Sequence, residues 1–168
     1  EAFLTKPVDD FALMSRINAL LRYNAVAFEL RQRQATGVRS GAVEEINDEE
    51  LNSPARIFVI DDNPRASARI ASTLREQGHS ATTLLEAGNM GNLSERRVDI
   101  LILSLSAQAY DPLKLVAHFK MNEATRAISI ILTCDTDDRT LAAKGMELGA
   151  SDVIFAPFDR QELLARIR

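Results

Sequence analysis

Four short runs of unbroken apolar residues place the tightest limit on what this chain can fold into. Ile57-Phe58-Val59-Ile60, Ile100-Leu101-Ile102-Leu103, Ile130-Ile131-Leu132 and Val153-Ile154-Phe155 are each three or four residues long and rich in β-branched side chains. A strand with one wet face alternates apolar and polar residues. A continuous run is the pattern of a strand covered on both faces, as in a parallel sheet. A more polar stretch, His79 to Leu85, suits an edge strand.

Helical patterns separate the runs. Asn63 followed by Pro64 reads as an N-cap with proline at the first helical position, opening a helix through Ile70 and Leu74 that stops near Gly78. Pro112 opens a second, carrying Leu115, Val116 and Phe119. Asp137 or Asp138 caps a third, through Leu141 and Met146 to Gly149, and Asp159 caps the last, with Leu163, Leu164 and Ile167 on one face. Gly88 and Gly91 make the segment from Ala87 to Arg97 poor helix material. Strands alternating with helices over residues 55–168 predict a doubly wound α/β domain with a five-stranded parallel sheet.

The first third is different. Residues 9–34 contain neither Pro nor Gly, and Leu13, Ile17, Leu20 and Leu21 form an apolar stripe at helical spacing, so one long helix is expected, breaking at Gly37. Residues 38–54 then carry five acids against the single base Arg39, the composition of a solvated linker. An internal repeat ties the two parts together. Lys6-Pro7-Val8-Asp9 through Leu13-Met14-Ser15-Arg16-Ile17 aligns without a gap, at an offset of 150 residues, with Ala156-Pro157-Phe158-Asp159 through Leu163-Leu164-Ala165-Arg166-Ile167. Repeats of this kind signal repeated structural units. The expected organisation is therefore the tail of one α/β domain in residues 1–35, an acidic linker in 36–54 and a whole second copy in 55–168. A start at Glu1 without Met reads as the interior of a longer chain.

Composition narrows the function classes. Apolar residues make up 46% and charged residues 26% of the 168, and the mean hydropathy is −0.10. No stretch approaches the ~20 apolar residues of a membrane span. Lys and Arg number 20 against 24 Asp and Glu, which argues against a generally basic nucleic-acid-binding surface. A single cysteine, Cys134, rules out a disulfide framework or a zinc cluster and suits a reducing, cytoplasmic setting.

In an open parallel sheet the ligand site lies beyond the carboxyl ends of the strands, where strand order reverses. Asp61 and Asp62 follow the first run, Ser104 the third strand, Thr133 the fourth, and Ala156 and Pro157 the fifth. Adjacent carboxylates in such a crevice could hold Mg²⁺, a hard cation that prefers oxygen ligands. Either acid could instead cap the following helix, although Asn63 is better placed to do so.

Asp61-Asp62 after an apolar strand, Asp-Ile-Leu-Ile-Leu-Ser-Leu at 99–105, Ile-Leu-Thr at 131–133, and Gly149-Ala150-Ser151-Asp152 followed by Pro157-Phe158 together resemble the receiver domain of response regulators. Residues 1–24, with Leu4-Thr5-Lys6-Pro7, resemble the end of another receiver. The tandem arrangement is similar to that of PleD-type response regulators, in which two receivers precede a GGDEF diguanylate cyclase domain. The resemblance implies a flavodoxin-like receiver fold and a role in two-component phosphorelay signalling. In that family an Asp ending the third strand accepts phosphate and, with the acid pair, holds Mg²⁺; a Thr or Ser after the fourth strand and a Lys after the fifth sense the phosphoryl group.

Carried over position by position, the acid pair matches as Asp61 and Asp62 and the hydroxyl as Thr133. The acceptor position is Ser104 and the lysine position Ala156. A serine hydroxyl is not ionised near neutral pH and lacks the carboxylate's nucleophilic and metal-ligating oxygens. Without lysine the pocket is expected to have no point cation to balance phosphate. The resemblance thus implies a degenerate receiver that needs no cofactor, keeps a weak, vestigial Mg²⁺ site at Asp61 and Asp62, and is not an enzyme within this stretch. Its implied partners are a first receiver, of the same chain or of a second protomer, and a downstream GGDEF domain. The implied contact surface is the face of the fourth helix, fifth strand and fifth helix, with Arg139, Lys144, Glu147, Asp159, Arg160 and Glu162 as candidates. The competing reading is a receiver that accepts phosphate on Asp61 or Asp62 with Mg²⁺.

Other motifs carry little. Leu103-Ser104-Leu105 is not the Gly-x-Ser-x-Gly elbow a hydrolase would need beside His118. His79 and His118 lack ligand spacing, Cys134 is expected just after the fourth strand as a structural or partly exposed thiol, and no Gly-x-Gly-x-x-Gly follows the first strand.

Overall fold

The computed structural model describes residues 54–84 and 97–167, together with Ile17, which is helical. The expected N-terminal helix over 9–34 otherwise lies outside the described residues, as do the linker up to residue 53 and the segment 87–96.

Each apolar run forms a strand. The elements in chain order are β1 (Arg56–Ile60), α1 (Pro64–Arg75), β2 (Ser80–Thr83), β3 (Ile100–Ser104), α2 (Pro112–Met121), β4 (Ser129–Asp135), α3 (Arg139–Glu147), β5 (Asp152–Ala156) and α4 (Arg160–Ile167). The sheet order is β2-β1-β3-β4-β5, with every pairing parallel. The polar strand β2 takes an edge, as its sequence predicts. It ends at Thr83 rather than Leu85, because Leu84 is already helical.

Burial on both faces explains the continuous runs. Ile57, Val59, Ile102, Ile131 and Ile154 form one core with Ile70, Ala71 and Leu74 of α1 and Leu163 of α4. The alternate residues Phe58, Ile60, Leu101, Leu103, Ile130 and Leu132 are as deeply buried, and strand alternation turns them to the opposite face. Gly145 lets α3 approach that face closely, since a Cβ there would run into Leu132 Cδ1. Leu132 is fully buried, so it has little room to yield.

The helix starts follow local chemistry. Asn63 Oδ1 accepts from Arg65 N and Ala66 N, Asp111 Oδ1 from Lys114 N, and Asp159 Oδ1 from Glu162 N. Asp138 occupies the N-cap of α3 but makes no side-chain capping bond, so the cap expected there is positional only. Gly78, at φ +88°, ends the turn after α1 in the left-handed region that favours glycine. At the last strand, Arg166 Nη1 donates to both carboxylate oxygens of Asp152, at 2.8 and 2.9 Å, and ties α4 to β5. No helix among the described residues is long and apolar enough to cross a membrane.

Candidate functional site

Strand order reverses between β1 and β3, and there the strand ends part to form a crevice. A cavity of about 320 Å³ opens at this point, lined by Asp61, Asp62, Ser104, Thr133 and Ala156 among others. The structure therefore brings together five of the six positions read from the strand ends, and leaves Pro157 outside the lining. Two placements differ from expectation. Thr133 lies within β4, which runs on to Asp135, and Cys134 is a buried strand residue rather than a thiol beyond the strand. Burial pushes the Cys134 thiol up to about 12, with smaller contributions from Asp138 and Asp135, so it is neutral and unreactive at ordinary pH.

The two acids do different work. Asp61 Oδ1 accepts from Asn63 N at 2.8 Å, and burial raises its pKa above the ordinary carboxylate value, against the lowering effect of that hydrogen bond. Asp62 turns to the loop after β3, where Oδ2 accepts from Gln108 N at 2.6 Å and Ala109 N at 3.0 Å. Those two amides hold its pKa below the ordinary value. Neither acid caps α1; Asn63 does. Tyr110 adds a third tie from the same loop, its hydroxyl donating to Ile60 O at 2.9 Å. Burial, and then the charges of Asp61 and Asp62, push the phenol's pKa upward.

The β3–β5 side is quieter. Ser104 ends β3, is paired in register with Thr133 of β4, and both are buried. Neither hydroxyl has a hydrogen-bond partner among the described residues, and both oxygens open onto the cavity instead of being sealed in the core. Ala156 ends β5 and contributes only a methyl group. Ser106 Oγ donates to Asp135 Oδ2 at 3.2 Å, and Asp135 brings a third carboxylate to the lining.

The pocket does contain a cation, contrary to expectation. Arg69 of α1 lines it, with its guanidinium carbon 5.8 Å from the centre of the Phe158 ring. Helical spacing from the Asn63 cap could have found it: Ala66, Arg69 and Ile70 share the face that lines the cavity. Tyr110, Ser106 and Asp135 carried no comparable signal. His118 lies exposed on α2 and does not line the cavity, while His79 Nδ1 accepts from Ala55 N in a packing role.

Mg²⁺ finds a poor match in these residues. Ser104 stands where the third ligating carboxylate would be, Asp62 Oδ2 already accepts two N–H groups, Asp135 is engaged by Ser106 Oγ, and no group of three or more His, Cys, Asp or Glu able to hold a metal ion occurs among the described residues.

A family model of the response regulator receiver domain matches residues 57–168, all but the first residue of the span from β1 to α4. The chain belongs to the response regulator receiver family. As a receiver it is a component of two-component signalling. It is 33% identical over 166 residues to the response regulator PleD of Caulobacter vibrioides, covering 99% of this chain and 36% of that protein. It is 30% identical over 115 residues to the transcriptional activator protein IrlR of Burkholderia pseudomallei, covering 67% of this chain and 48% of the relative. The chain thus spans between about a third and a half of these relatives. Among solved structures, a putative response regulator from Chloroflexus aurantiacus superposes with a TM-score of 0.62 at 23% identity, over 68% of this chain and 95% of that one. The chemotaxis protein CheY4 of Vibrio cholerae superposes with 0.61 at 17% identity, over 68% and 97% of the two chains. These structural likenesses establish the receiver fold.

Of the residues expected on a contact surface, several are engaged within the domain. Arg160 pairs with Glu76, Glu162 lies 3.6 Å from Arg166, Asp159 caps α4, and Arg139 stacks over Phe155. Lys144 and Glu147 are exposed on α3 and have no partner among the described residues.

Proposed function

We propose that this receiver is degenerate and acts as an adaptor, independent of its own phosphorylation. Its role is to pass the phosphorylation state of a neighbouring receiver to an output domain by packing against that receiver or a second protomer. The observation that carries this reading is Ser104 at the end of β3, opposite Thr133 in the cavity where an acceptor carboxylate belongs. A neutral hydroxyl that makes no hydrogen bond to a base among the described residues is a far poorer nucleophile and metal ligand than a carboxylate. Ala156 at the end of β5 removes the lysine as well.

The likeness to PleD over nearly the whole chain supports a tandem arrangement, with residues 1–35 as the tail of a first receiver and 36–54 as a linker. On this reading the output is a GGDEF diguanylate cyclase, and the α3–β5–α4 face, where Lys144 and Glu147 have no partner among the described residues, makes the receiver contacts. A mixed-charge face suits reversible, salt-sensitive association. Mg²⁺ is not required, and it binds the Asp61–Asp62 remnant weakly. Phosphate acceptance by either acid is the poorer alternative, because Asp62 is committed to the loop after β3 and Asp61 to the turn at Asn63.

Intact-mass analysis after incubation with acetyl phosphate and Mg²⁺, with an active receiver as control, tests the reading. No added phosphoryl group is expected. Stable, Mg²⁺-dependent modification would overturn it.

A further inference from the structure

Among the described residues, charge in the pocket is unbalanced. Of the described lining residues, Asp61, Asp62 and Asp135 face one guanidinium, that of Arg69. Arg69 lies over the Phe158 ring and forms no ion pair among the described residues. The hydroxyls of Ser104 and Thr133 face the same space, with their residues only 7% and 6% exposed and no hydrogen-bond partner for either among the described residues. Both hydroxyl oxygens open onto the cavity rather than being sealed away from it, so they are acceptors that a ligand entering there can meet. The position ending β5 is Ala156, whereas its counterpart in the internal repeat is Lys6. The cavity therefore has both the space and the acceptors for an ammonium group, and no described residue lining it supplies one.

We infer that this cavity is a binding site for a primary alkylammonium group, which supplies from outside the domain the cation that Ala156 lacks. An ammonium has three N–H donors and no acceptor. The Asp61 carboxylate, Ser104 Oγ and Thr133 Oγ1 are the acceptors on offer. A volume of about 320 Å³ leaves room for the alkyl chain behind the charge. A bare divalent cation is less well served, because Asp62 Oδ2 already accepts two backbone N–H groups. A free oxyanion would enter against three carboxylates with one cation to offset them, which is electrostatically unfavourable. The charge imbalance rests on the degenerate pocket proposed above. Amine binding and phosphoryl transfer are read by different measurements, so either can fail alone.

Titration of the full chain with n-butylammonium, followed through the backbone amide resonances of Thr133, Cys134 and Ala156, tests the site. Tetramethylammonium at equal ionic strength is the control, since it carries the charge without N–H donors. Saturable shifts with n-butylammonium alone are expected. Asp61→Asn should weaken binding by roughly tenfold, the scale of one hydrogen bond to a charged group. Ala156→Lys should abolish it by filling the cavity from within, and circular dichroism confirms that both variants fold. Nα-acetyl-lysine methylamide binding more tightly than n-butylammonium would assign the ammonium to a polypeptide lysine; the reverse order would assign it to a free amine. Equal shifts with tetramethylammonium, no shifts with either primary amine, or shifts with inorganic phosphate alone would overturn the site.

Discussion

The two halves of the pocket are built to different standards. On the β1 side, Asp61, Asp62 and Tyr110 each have a defined hydrogen-bond partner, and two of them pin the loop after β3 to the end of β1. On the β3–β5 side, the Ser104 and Thr133 hydroxyls open onto the cavity without a partner among the described residues, and Ala156 has no polar group to place. The contrast teaches that residues matching a reaction's machinery can persist for architectural reasons. Asp62 has structural work that would keep it in place with no phosphoryl chemistry nearby. The hydroxyl side has no such internal duty.

The largest expected effect comes from rebuilding the quiet side. Ser104→Asp combined with Ala156→Lys should convert a chain that takes up no phosphoryl group from acetyl phosphate and Mg²⁺ into one that takes up a single group, read by intact mass. Failure of the double variant to react, while still folded, would show that the β1 side is no longer competent either.

Next in size is the loss of the Asp62 ties. Asp62→Ala leaves the Gln108 and Ala109 amides without their acceptor and should lower stability by about 2 kcal/mol in urea unfolding, on the scale of hydrogen bonds to a charged group. Tyr110→Phe removes one neutral bond to Ile60 O and should cost about 1 kcal/mol. Ser104→Ala and Thr133→Val should each change stability by less than about 0.5 kcal/mol or raise it, because each removes a hydroxyl that has no partner to lose. A large loss in either variant would erase the contrast between the two halves.

The finest test uses pH. Asp62 has a lowered pKa, so its contribution is fully present above the unfolded value of 3.8 and is lost as pH falls through the lower, folded value. Asp61 has a raised pKa, so its contribution is present below 3.8 and is lost as pH rises through the higher, folded value. The stability difference between Asp62→Asn and the parent should therefore move against the variant as pH rises toward 3.8. For Asp61→Asn it should move in the variant's favour as pH rises above 3.8. Urea midpoints measured across that range check both slopes, and slopes of the same sign would refute the division of labour between the acids.

How much of this was legible from residues alone varied with the range of the interaction. The caps at Asn63, Asp111 and Asp159 involve neighbours within three residues, and the first and last of them were legible as caps in the sequence. The strand-end rule reached Asp61, Asp62, Ser104, Thr133 and Ala156 because a parallel sheet gathers its carboxyl ends on one edge. It misplaced the end of β4, since Thr133, Cys134 and Asp135 are polar or ambiguous and join the strand only by pairing with β3 and β5.

By itself, then, the sequence determined the fold class, the edge position of β2, and the absence of a carboxylate at 104 and a lysine at 156. These are properties of residue type and of short-range pattern. Tertiary structure decided what each pocket residue does. Asp62 meets amides 46 and 47 residues away, Tyr110 a carbonyl 50 residues away, and Arg69 stacks on Phe158 from across the chain. Such partners are chosen by strand order and loop path, because a carboxylate or a guanidinium is recognisable in sequence but the group within 3 Å of it is not.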